Sequence, residues 1–274
     1  MIPDRVLAAA VQMNSTVDKP ANLDRAFGLV QQAADEGAQL VVLPELFNCL
    51  GSLEQIAAAA EPIPGPTSRA LSQLAARLQI TLCAGSIGER AAEPGKAFNT
   101  SLLFGPDGRL LARYRKIHLF DACLPSGLQV QESRYMIPGD RLLATDTPAG
   151  TLGQATCYDL RFPEQFRGLA DAHVDVVLLP SAFTHQTGRH HWHVLVRARA
   201  IENQVYVIAA NQCGYHNHEL VSYGHSLIVD AWGQLLAEAG GEREEVIVAE
   251  LTGGHLHHVR GLLPVLDHRR DVAF

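Results

Sequence analysis

Short apolar runs alternate with amphipathic helical segments along nearly the whole of this 274-residue chain. Runs of this kind, bounded by turn residues, are typical of buried strands, whereas the segments between them repeat apolar residues at helical spacing. The predicted strands are 5–13, 40–43, 80–84, 98–104, 109–114, 151–156, 174–179, 205–210, 226–230, 234–237 and 246–251. The predicted helices are 68–78, 163–172, 189–202 and one that starts at Asp18 and stops at Gly37. The alternation predicts an α/β fold.

The two halves of the chain follow the same plan. Residues 105–112 and 230–237 are similar in sequence, and each contains a turn between two predicted strands. Helices on the outer faces of two packed sheets would bury all the apolar runs. We therefore expect a single domain over 1–274, ending in an extended arm at about 252–274, where no periodicity is visible.

Composition limits the classes of function. With 47% hydrophobic residues the chain can bury a large core, and its formal charge of -7 offers no attraction for nucleic acid or anionic membrane, so a small molecule is the expected partner. The N-terminal residues lack the basic start of a secretory signal, and no apolar stretch approaches the roughly 18 residues that span a bilayer. The five cysteines are scattered without a C-x-x-C pair. We expect a cytoplasmic protein with free thiols.

Three residues that carry reactive groups each follow a predicted strand. Glu45 follows the run ending at Pro44, Lys116 follows the second strand of a hairpin, and Cys157 lies between a strand and the helix that opens at Pro163. A strand followed by a sharp turn and a helix is a setting that holds a nucleophile out of the sheet edge. If the three strands are neighbours, their ends would bring a carboxylate, an ammonium and a thiol into one pocket.

Such a pocket would have the groups of a thiol hydrolase. A cysteine attacks as a thiolate, so Lys116 could stabilise its charge and that of a developing oxyanion, while Glu45 could take the thiol proton and later activate water. Each residue also has a commoner role, since a lone cysteine is usually part of the core, and a glutamate in a turn or a lysine after a hairpin is usually solvated. The hypothesis therefore depends on convergence of the three side chains.

Three segments resemble the motifs of the nitrilase superfamily of carbon-nitrogen hydrolases, in the same order. They are Leu-Pro-Glu at 43–45, Arg-Lys-Ile-His-Leu-Phe at 115–120 and Cys-Tyr-Asp-Leu-Arg-Phe-Pro-Glu at 157–164. The resemblance covers nearly the full length and implies a four-layer αββα sandwich that pairs as a homodimer. It implies Glu45 as general base, Lys116 as oxyanion stabiliser and Cys157 as nucleophile.

The same resemblance implies roles for three further residues. Glu132 would support the lysine, although on its own it is a loop carboxylate. The backbone N–H of Tyr158 would be an oxyanion donor, and Phe183 would bind substrate. Segments 181–183, 210–214 and 222–226 most resemble the branch of ω-amidases and deaminated glutathione amidases.

The resemblance therefore implies an amidase that forms a thioester. Its expected substrate is an ω-amide of a small dicarboxylate or ketoacid, or deaminated glutathione. Alternatives are a nitrile hydrolase, a hydrolase of N-carbamoyl amino acids or β-ureidopropionate, a cysteine-histidine hydrolase and a catalytically silent binding subunit. The motifs do not separate the first three substrate classes because all use the same thiol chemistry.

Two sets of polar residues, the histidines at 190–193 and the pair Asp159 and Arg161, have competing interpretations. His190, His191 and His193 suggest a metal site, but on a helix they point in different directions and form no i, i+4 pair, so we expect no metal and no cofactor. Many relatives have an acidic residue at the position of His193, on a helix that flanks the pocket and the dimer interface. Arg161 and Asp159 could bind an acidic substrate or pair with each other to stiffen the turn after Cys157. Residues 216–219 are expected to form a polar loop.

Overall fold

The computed structural model describes residues 2–124, 127, 129–216 and 220–270, so part of the predicted polar loop, 217–219, lies outside the described residues. The strands are β1 Val6–Gln12, β2 Leu40–Val42, β3 Thr81–Cys83, β4 Ile87–Arg90, β5 Ala97–Phe104, β6 Leu110–Arg115, β7 Asp121–Cys123, β8 Gln129–Gln131, β9 Ala144–Thr147, β10 Gly150–Gln154, β11 Val176–Leu178, β12 Tyr206–Ala209, β13 Cys213–Tyr215, β14 Val221–Tyr223, β15 Leu227–Val229, β16 Leu235–Glu238 and β17 Glu245–Leu251. The helices are α1 Lys19–Asp35, α2 Leu53–Ala58, α3 Pro66–Leu78, α4 Pro163–Asp171, α5 His185–Asn203 and α6 Gly253–Leu262, with 3-10 turns at Glu132–Arg134 and Cys157–Arg161. Within the described ranges, no helix combines the length and apolar character needed to cross a membrane.

Most strands form two large sheets, each with three parallel strands at its centre. The first has the order β17-β1-β2-β3-β5-β4, with β6 also paired to β5, and the second has the order β16-β15-β12-β11-β10-β9. Parallel pairing joins β1, β2 and β3 in the first sheet and β10, β11 and β12 in the second. Helices connect these parallel strands, as parallel pairing requires. The two halves of the chain therefore contribute one sheet each, apart from β17, which returns to the first.

Side chains that alternate between the two faces of each strand form the apolar layers of the sandwich. Ala8 and Ala10 of β1 face the second sheet, where they join a cluster with Ile208, while Ala9 and Val11 face the helices α1 and α3. A strand places successive side chains on opposite faces, so a strand apolar on both faces must be covered on both sides. On the second sheet α4 and α5 provide the outer cover. The predicted αββα sandwich is confirmed.

The C-terminal segment is a correction to the prediction of an extended arm. Thr252 accepts a hydrogen bond from the backbone N–H of His255 (3.2 Å) and starts α6. The helix buries Leu256 and Val259 in the cluster between the sheets. Two initial glycines and several histidines hide this short apolar face in the sequence, because glycine disfavours a helix. The prediction of one domain over 1–274 stays a prediction.

Candidate active site

The ends of three strands open into one cleft. Glu45 lies just after β2, Lys116 just after β6, and Cys157 after β10 at the start of a 3-10 turn. Side chains of all three, together with Glu132, line a cleft of about 1230 Å³. The two sheets therefore each supply part of the site, and the predicted convergence is present in the fold.

A buried lysine holds two carboxylates together. The Lys116 Nζ atom lies 3.0 Å from Glu45 Oε1, 2.8 Å from Glu132 Oε2 and 3.1 Å from Glu132 Oε1. Burial opposes charge on the lysine, but the Glu132 and Glu45 carboxylates, with the Cys157 sulfur, raise the pKa of Lys116 well above its ordinary value. Two carboxylates thus share one permanent cation.

Backbone and amide groups fix the orientation of Glu45. The Asn99 side-chain amide donates to Glu45 Oε1 (2.8 Å) and to Glu132 Oε1 (3.4 Å). The backbone N–H of Ala182 donates to Glu45 Oε2 (2.9 Å). Sequence reasoning missed Asn99, although an asparagine in the predicted strand 98–104 was a usable signal, because asparagine is uncommon in strands and a buried amide needs partners.

The cysteine occupies a constrained turn beside Glu45. Its backbone has φ 46°, a left-handed conformation that is rare for residues other than glycine, and its N–H donates to the Pro180 carbonyl at 2.9 Å. Burial and the charge and hydrogen bond of Glu45 raise the pKa of the Cys157 thiol well above its ordinary value, against the opposing effects of Lys116 and the Ala182 N–H. The resting sulfur is therefore a thiol next to a carboxylate that can accept its proton.

A buried aspartate stiffens this turn. Asp159 accepts hydrogen bonds from the Tyr114 hydroxyl (2.6 Å), the His118 backbone N–H (3.0 Å) and the Thr156 backbone N–H (2.8 Å). Arg161, which was weighed as its partner, instead lies over the Phe183 ring, 5.0 Å from the ring centroid. The stiffening role suggested for Asp159 is present, but tyrosine and histidine provide it rather than arginine.

The side chains of the two residues predicted to bind substrate are not in the cleft wall. The Tyr158 ring packs against Phe120 and Phe162, with centroid distances of 4.9 and 5.3 Å, and is not part of the cleft wall; its predicted role concerned the backbone N–H. Phe183 is buried against Trp192, with ring centroids 5.1 Å apart, and lies in the core between α5 and the second sheet. The Phe183 side chain is thus held by core packing, and its role in substrate binding stays a prediction.

Residues that sequence reasoning did not select form much of the cleft wall. Two short ribbons, β7 with β8 and β13 with β14, stand outside the large sheets and border the opening. Wall residues with polar side chains include Arg134, His185, Tyr215, Tyr223 and His225. The cleft therefore surrounds the reactive groups with hydrogen-bonding and cationic side chains.

Comparison with known proteins agrees with this geometry. A family model described as "Carbon-nitrogen hydrolase" matches residues 7–260. "Deaminated glutathione amidase" of Synechocystis sp. (strain PCC 6803 / GT-S) is 42% identical over 266 residues, covering 96% of this chain and 97% of that protein. "Omega-amidase NIT2" of Homo sapiens is 40% identical over 263 residues, covering 96% and 94%.

A solved structure gives the same result for the fold. The crystal structure of Nit3 from Saccharomyces cerevisiae, described as a member of branch 10 of the nitrilase superfamily, matches with a TM-score of 0.88 at 37% identity and covers 98% of each chain. Sequence family, fold and strand-end residues thus agree. The chain belongs to the carbon-nitrogen hydrolase family of the nitrilase superfamily and is a carbon-nitrogen hydrolase.

Proposed function

We propose that this enzyme hydrolyses a small non-peptide amide through a thioester on Cys157, with Glu45 as its general base and acid. The observation that carries the proposal is the position of the Glu45 carboxylate, which contacts both the Lys116 ammonium and the Cys157 thiol. A nucleophile and a cation on either side of one base, at the floor of a cleft, are the groups that acyl transfer requires.

In the first step the Cys157 sulfur attacks the amide carbonyl carbon. Its proton passes to Glu45, so the sulfur becomes nucleophilic as the bond forms, and the raised pKa of the free thiol is no obstacle. The tetrahedral intermediate collapses when its C–N bond breaks and Glu45 returns the proton to the departing nitrogen. Ammonia leaves from a primary ω-amide, or the cysteinyl amine from deaminated glutathione, and the acyl group remains as a thioester.

In the second step water replaces sulfur. Glu45 takes a proton from a water molecule, whose oxygen attacks the thioester carbonyl. The C–S bond then breaks, and Glu45 returns the proton to the sulfur, which releases the carboxylic acid and restores the Cys157 thiol. The same carboxylate serves both steps because Asn99 and the Ala182 N–H hold its two oxygens in place. A fixed base avoids the cost of reorganisation at each transfer.

Positive charge stabilises the oxyanion in both steps. We assign this role to the Lys116 ammonium together with the backbone N–H of Tyr158. Glu132 acts as a positioning residue, since both its oxygens contact Lys116 and one also accepts from the Phe120 N–H at 2.6 Å.

The proposed substrate is an ω-amide of a small dicarboxylate or ketoacid, or deaminated glutathione. The named activities of the similar proteins support this class. The cleft also supports it, because Arg134 and His185 on its wall can bind the carboxylate at the far end of such a molecule. On the family resemblance we further propose a cytoplasmic homodimer.

The test is product release from a panel of compounds: ammonia from ω-amides, nitriles and ureido acids, and the free cysteinyl amine from deaminated glutathione. We expect turnover of the ω-amides or deaminated glutathione by the parent and none by Cys157→Ala, while Cys123→Ala, which changes an exposed cysteine, retains it. Turnover by Cys157→Ala equal to the parent contradicts the thioester. Preference for nitriles or ureido acids contradicts the substrate class, and binding without release of ammonia or amine points to a silent binding subunit.

A further inference from the structure

Two histidines and a glutamate meet at the rim of the cleft, outside the catalytic cluster. His193 Nε2 and His225 Nδ1 each lie 2.9 Å from the same atom, Glu238 Oε1. The three potential ligand atoms all lie within 4.8 Å of one another. Their side chains are 30 to 35% exposed, so the cluster is open to solvent on one side.

Three separate elements build this cluster. His193 lies on α5, Glu238 ends β16, and His225 lies between β14 and β15 with φ 52°. The His225 backbone is fixed on both sides, because its N–H donates to the Gly240 carbonyl (3.0 Å) and its carbonyl accepts from the Trp192 indole N–H (2.6 Å). The ligand atoms are thus held by rigid parts of the fold rather than by a mobile loop.

The absence of a side chain at Gly241 leaves room for the ring of His225. A Cβ atom at Gly241 would lie 3.0 Å from His225 Nε2, a separation too short for an ordinary contact. The ring of Tyr223 also packs against the His225 ring, with the two ring centroids 4.5 Å apart. Packing therefore fixes the orientation that points the His225 Nδ1 atom towards Glu238.

The donor set and its charge suit a divalent metal ion. Two imidazole nitrogens and a carboxylate oxygen are ligands that Zn²⁺ commonly takes in sites that keep a position open. Tetrahedral ligands about 2.0 Å from zinc lie about 3.3 Å apart, so the two nitrogen–oxygen spacings of 2.9 Å need only a small widening to admit the ion. In the described part of the chain the ion-pair partners of Glu238 are these two histidines. Among those residues, no lysine or arginine is paired with its carboxylate.

We propose that His193, His225 and Glu238 bind a divalent transition-metal ion of the zinc class at the cleft rim. Water or a small molecule in the cleft completes its coordination. The ion joins α5 to β16 and holds the wall that His225 and Tyr223 contribute to the cleft. It takes no part in bond making or breaking, so the proposal is independent of the thioester route. It also overturns the expectation that the histidine-rich segment binds no metal.

The test is zinc binding by the full chain after treatment with a chelator. Cys123→Ser/Cys157→Ala serves as the reference protein, because it removes the exposed and the cleft thiol, which also bind zinc. Calorimetric titration with Zn²⁺ is expected to give one ion per chain. His193→Gln and Glu238→Gln in this reference should each weaken binding by about tenfold or more, since loss of an indirect partner alone costs about that much. His190→Gln, an exposed histidine on the same helix, is the matched control.

Two results would overturn the site. One is the absence of saturable zinc binding by the reference protein, and the other is equal affinity in the reference, His193→Gln and Glu238→Gln. Co²⁺ titration gives a second measurement, with visible absorption bands expected from the reference and from His190→Gln and lost in His193→Gln. If a variant fails to fold, the Zn²⁺-dependent shift of the His193 and His225 ring signals in NMR spectra of the reference protein decides, and no shift would contradict the proposal.

Discussion

Two carboxylate clusters border the same cleft and differ in their cations. At its floor, Glu45 and Glu132 share Lys116, and all three residues are at most 4% exposed. At its rim, Glu238 is shared by two histidines and about a third of each side chain is exposed. In the buried cluster the cation is permanent, because neighbouring carboxylates raise the pKa of Lys116. At the rim the partners are imidazoles, side chains that carry no permanent charge.

The difference shows what burial does to a polar cluster. A charge withdrawn from water must be paired at all times, so each group at the floor depends strongly on the others. A charge at the rim keeps water as an alternative partner, so removal of one member costs little. Chemistry that needs a fixed proton acceptor is therefore expected at the floor, and exchangeable ligands are expected at the rim.

The strongest way to break this comparison is to remove the base at the floor. Glu45→Gln keeps the shape of the side chain but cannot accept the thiol proton, so kcat for amide hydrolysis should fall by roughly 10² to 10⁴. Glu54→Gln is the matched control, because Glu54 also lines the cleft but is exposed. Steady-state kinetics of both variants give the comparison. A Glu45→Gln enzyme within threefold of the parent, about the change expected for the control, would exclude Glu45 as the base and revive a histidine base.

Removal of the buried cation should have the largest effect on stability. Lys116→Met keeps much of the volume but leaves two buried carboxylates facing each other, so the free energy of unfolding should fall by about 3–5 kcal/mol near neutral pH. The loss should shrink as the pH is lowered, because protonation of one carboxylate removes the repulsion. Urea unfolding at several pH values measures both effects. Lys19→Met, in a partly exposed pair with Glu61, should cost less, and an equal loss would contradict the role of burial.

The strands show how much of the fold could be predicted from the sequence. Apolar runs predicted β1, β2 and β12 because continuous apolar residues are typical of strands covered on both faces. The run that should have marked β4 was missed because Glu89 interrupts it. That carboxylate is buried in the middle of the strand and is paired with Arg113 and Arg115, neither of which is adjacent in sequence.

The site was predictable only where its chemistry follows a strand end. Glu45, Lys116 and Cys157 could be found because parallel strand ends gather at one edge and because the family motifs surround them. Asn99 was not predicted, because its role is to donate hydrogen bonds to two carboxylates, Glu45 and Glu132, that come from other segments. The histidines at 190–193 were judged by helical spacing alone, whereas His225 and Glu238, which lie beside His193 in the fold, come from other parts of the chain.

An intermediate case sharpens the comparison. Asp159 is fully buried like the floor cluster, but its donors include neutral groups such as the Tyr114 hydroxyl and backbone N–H groups. In Asp159→Asn an amide NH₂ would face groups that also donate, so the free energy of unfolding should fall by about 1–3 kcal/mol. Differential scanning calorimetry of this variant and of Asp146→Asn, an exposed aspartate, measures the difference. Equal transition temperatures would show that the network does not stiffen the turn at Cys157.

The smallest effect is expected at the rim. Burial acts to raise the pKa of Glu238, but hydrogen bonds from His193 and His225 and their charges lower it below 4.5. A carboxyl whose pKa is lower in the folded state stabilises the fold above its unfolded pKa, and this contribution disappears as the pH falls through the folded pKa. Glu238→Gln should therefore reduce stability by less than about 1 kcal/mol at pH 6, since the groups are partly solvated. In metal-free buffer the difference from the parent should vanish in acid.

Urea unfolding of the parent and Glu238→Gln at a series of pH values from neutral into acid tests this sign. The matched control is Glu93→Gln, in the exposed turn between β4 and β5. A difference that grows as the pH falls would reverse the assigned sign of the Glu238 interaction. A loss as large as that in Lys116→Met would instead mean that the rim is not solvated as the exposure of its three side chains indicates, and the contrast between floor and rim would then have to be abandoned.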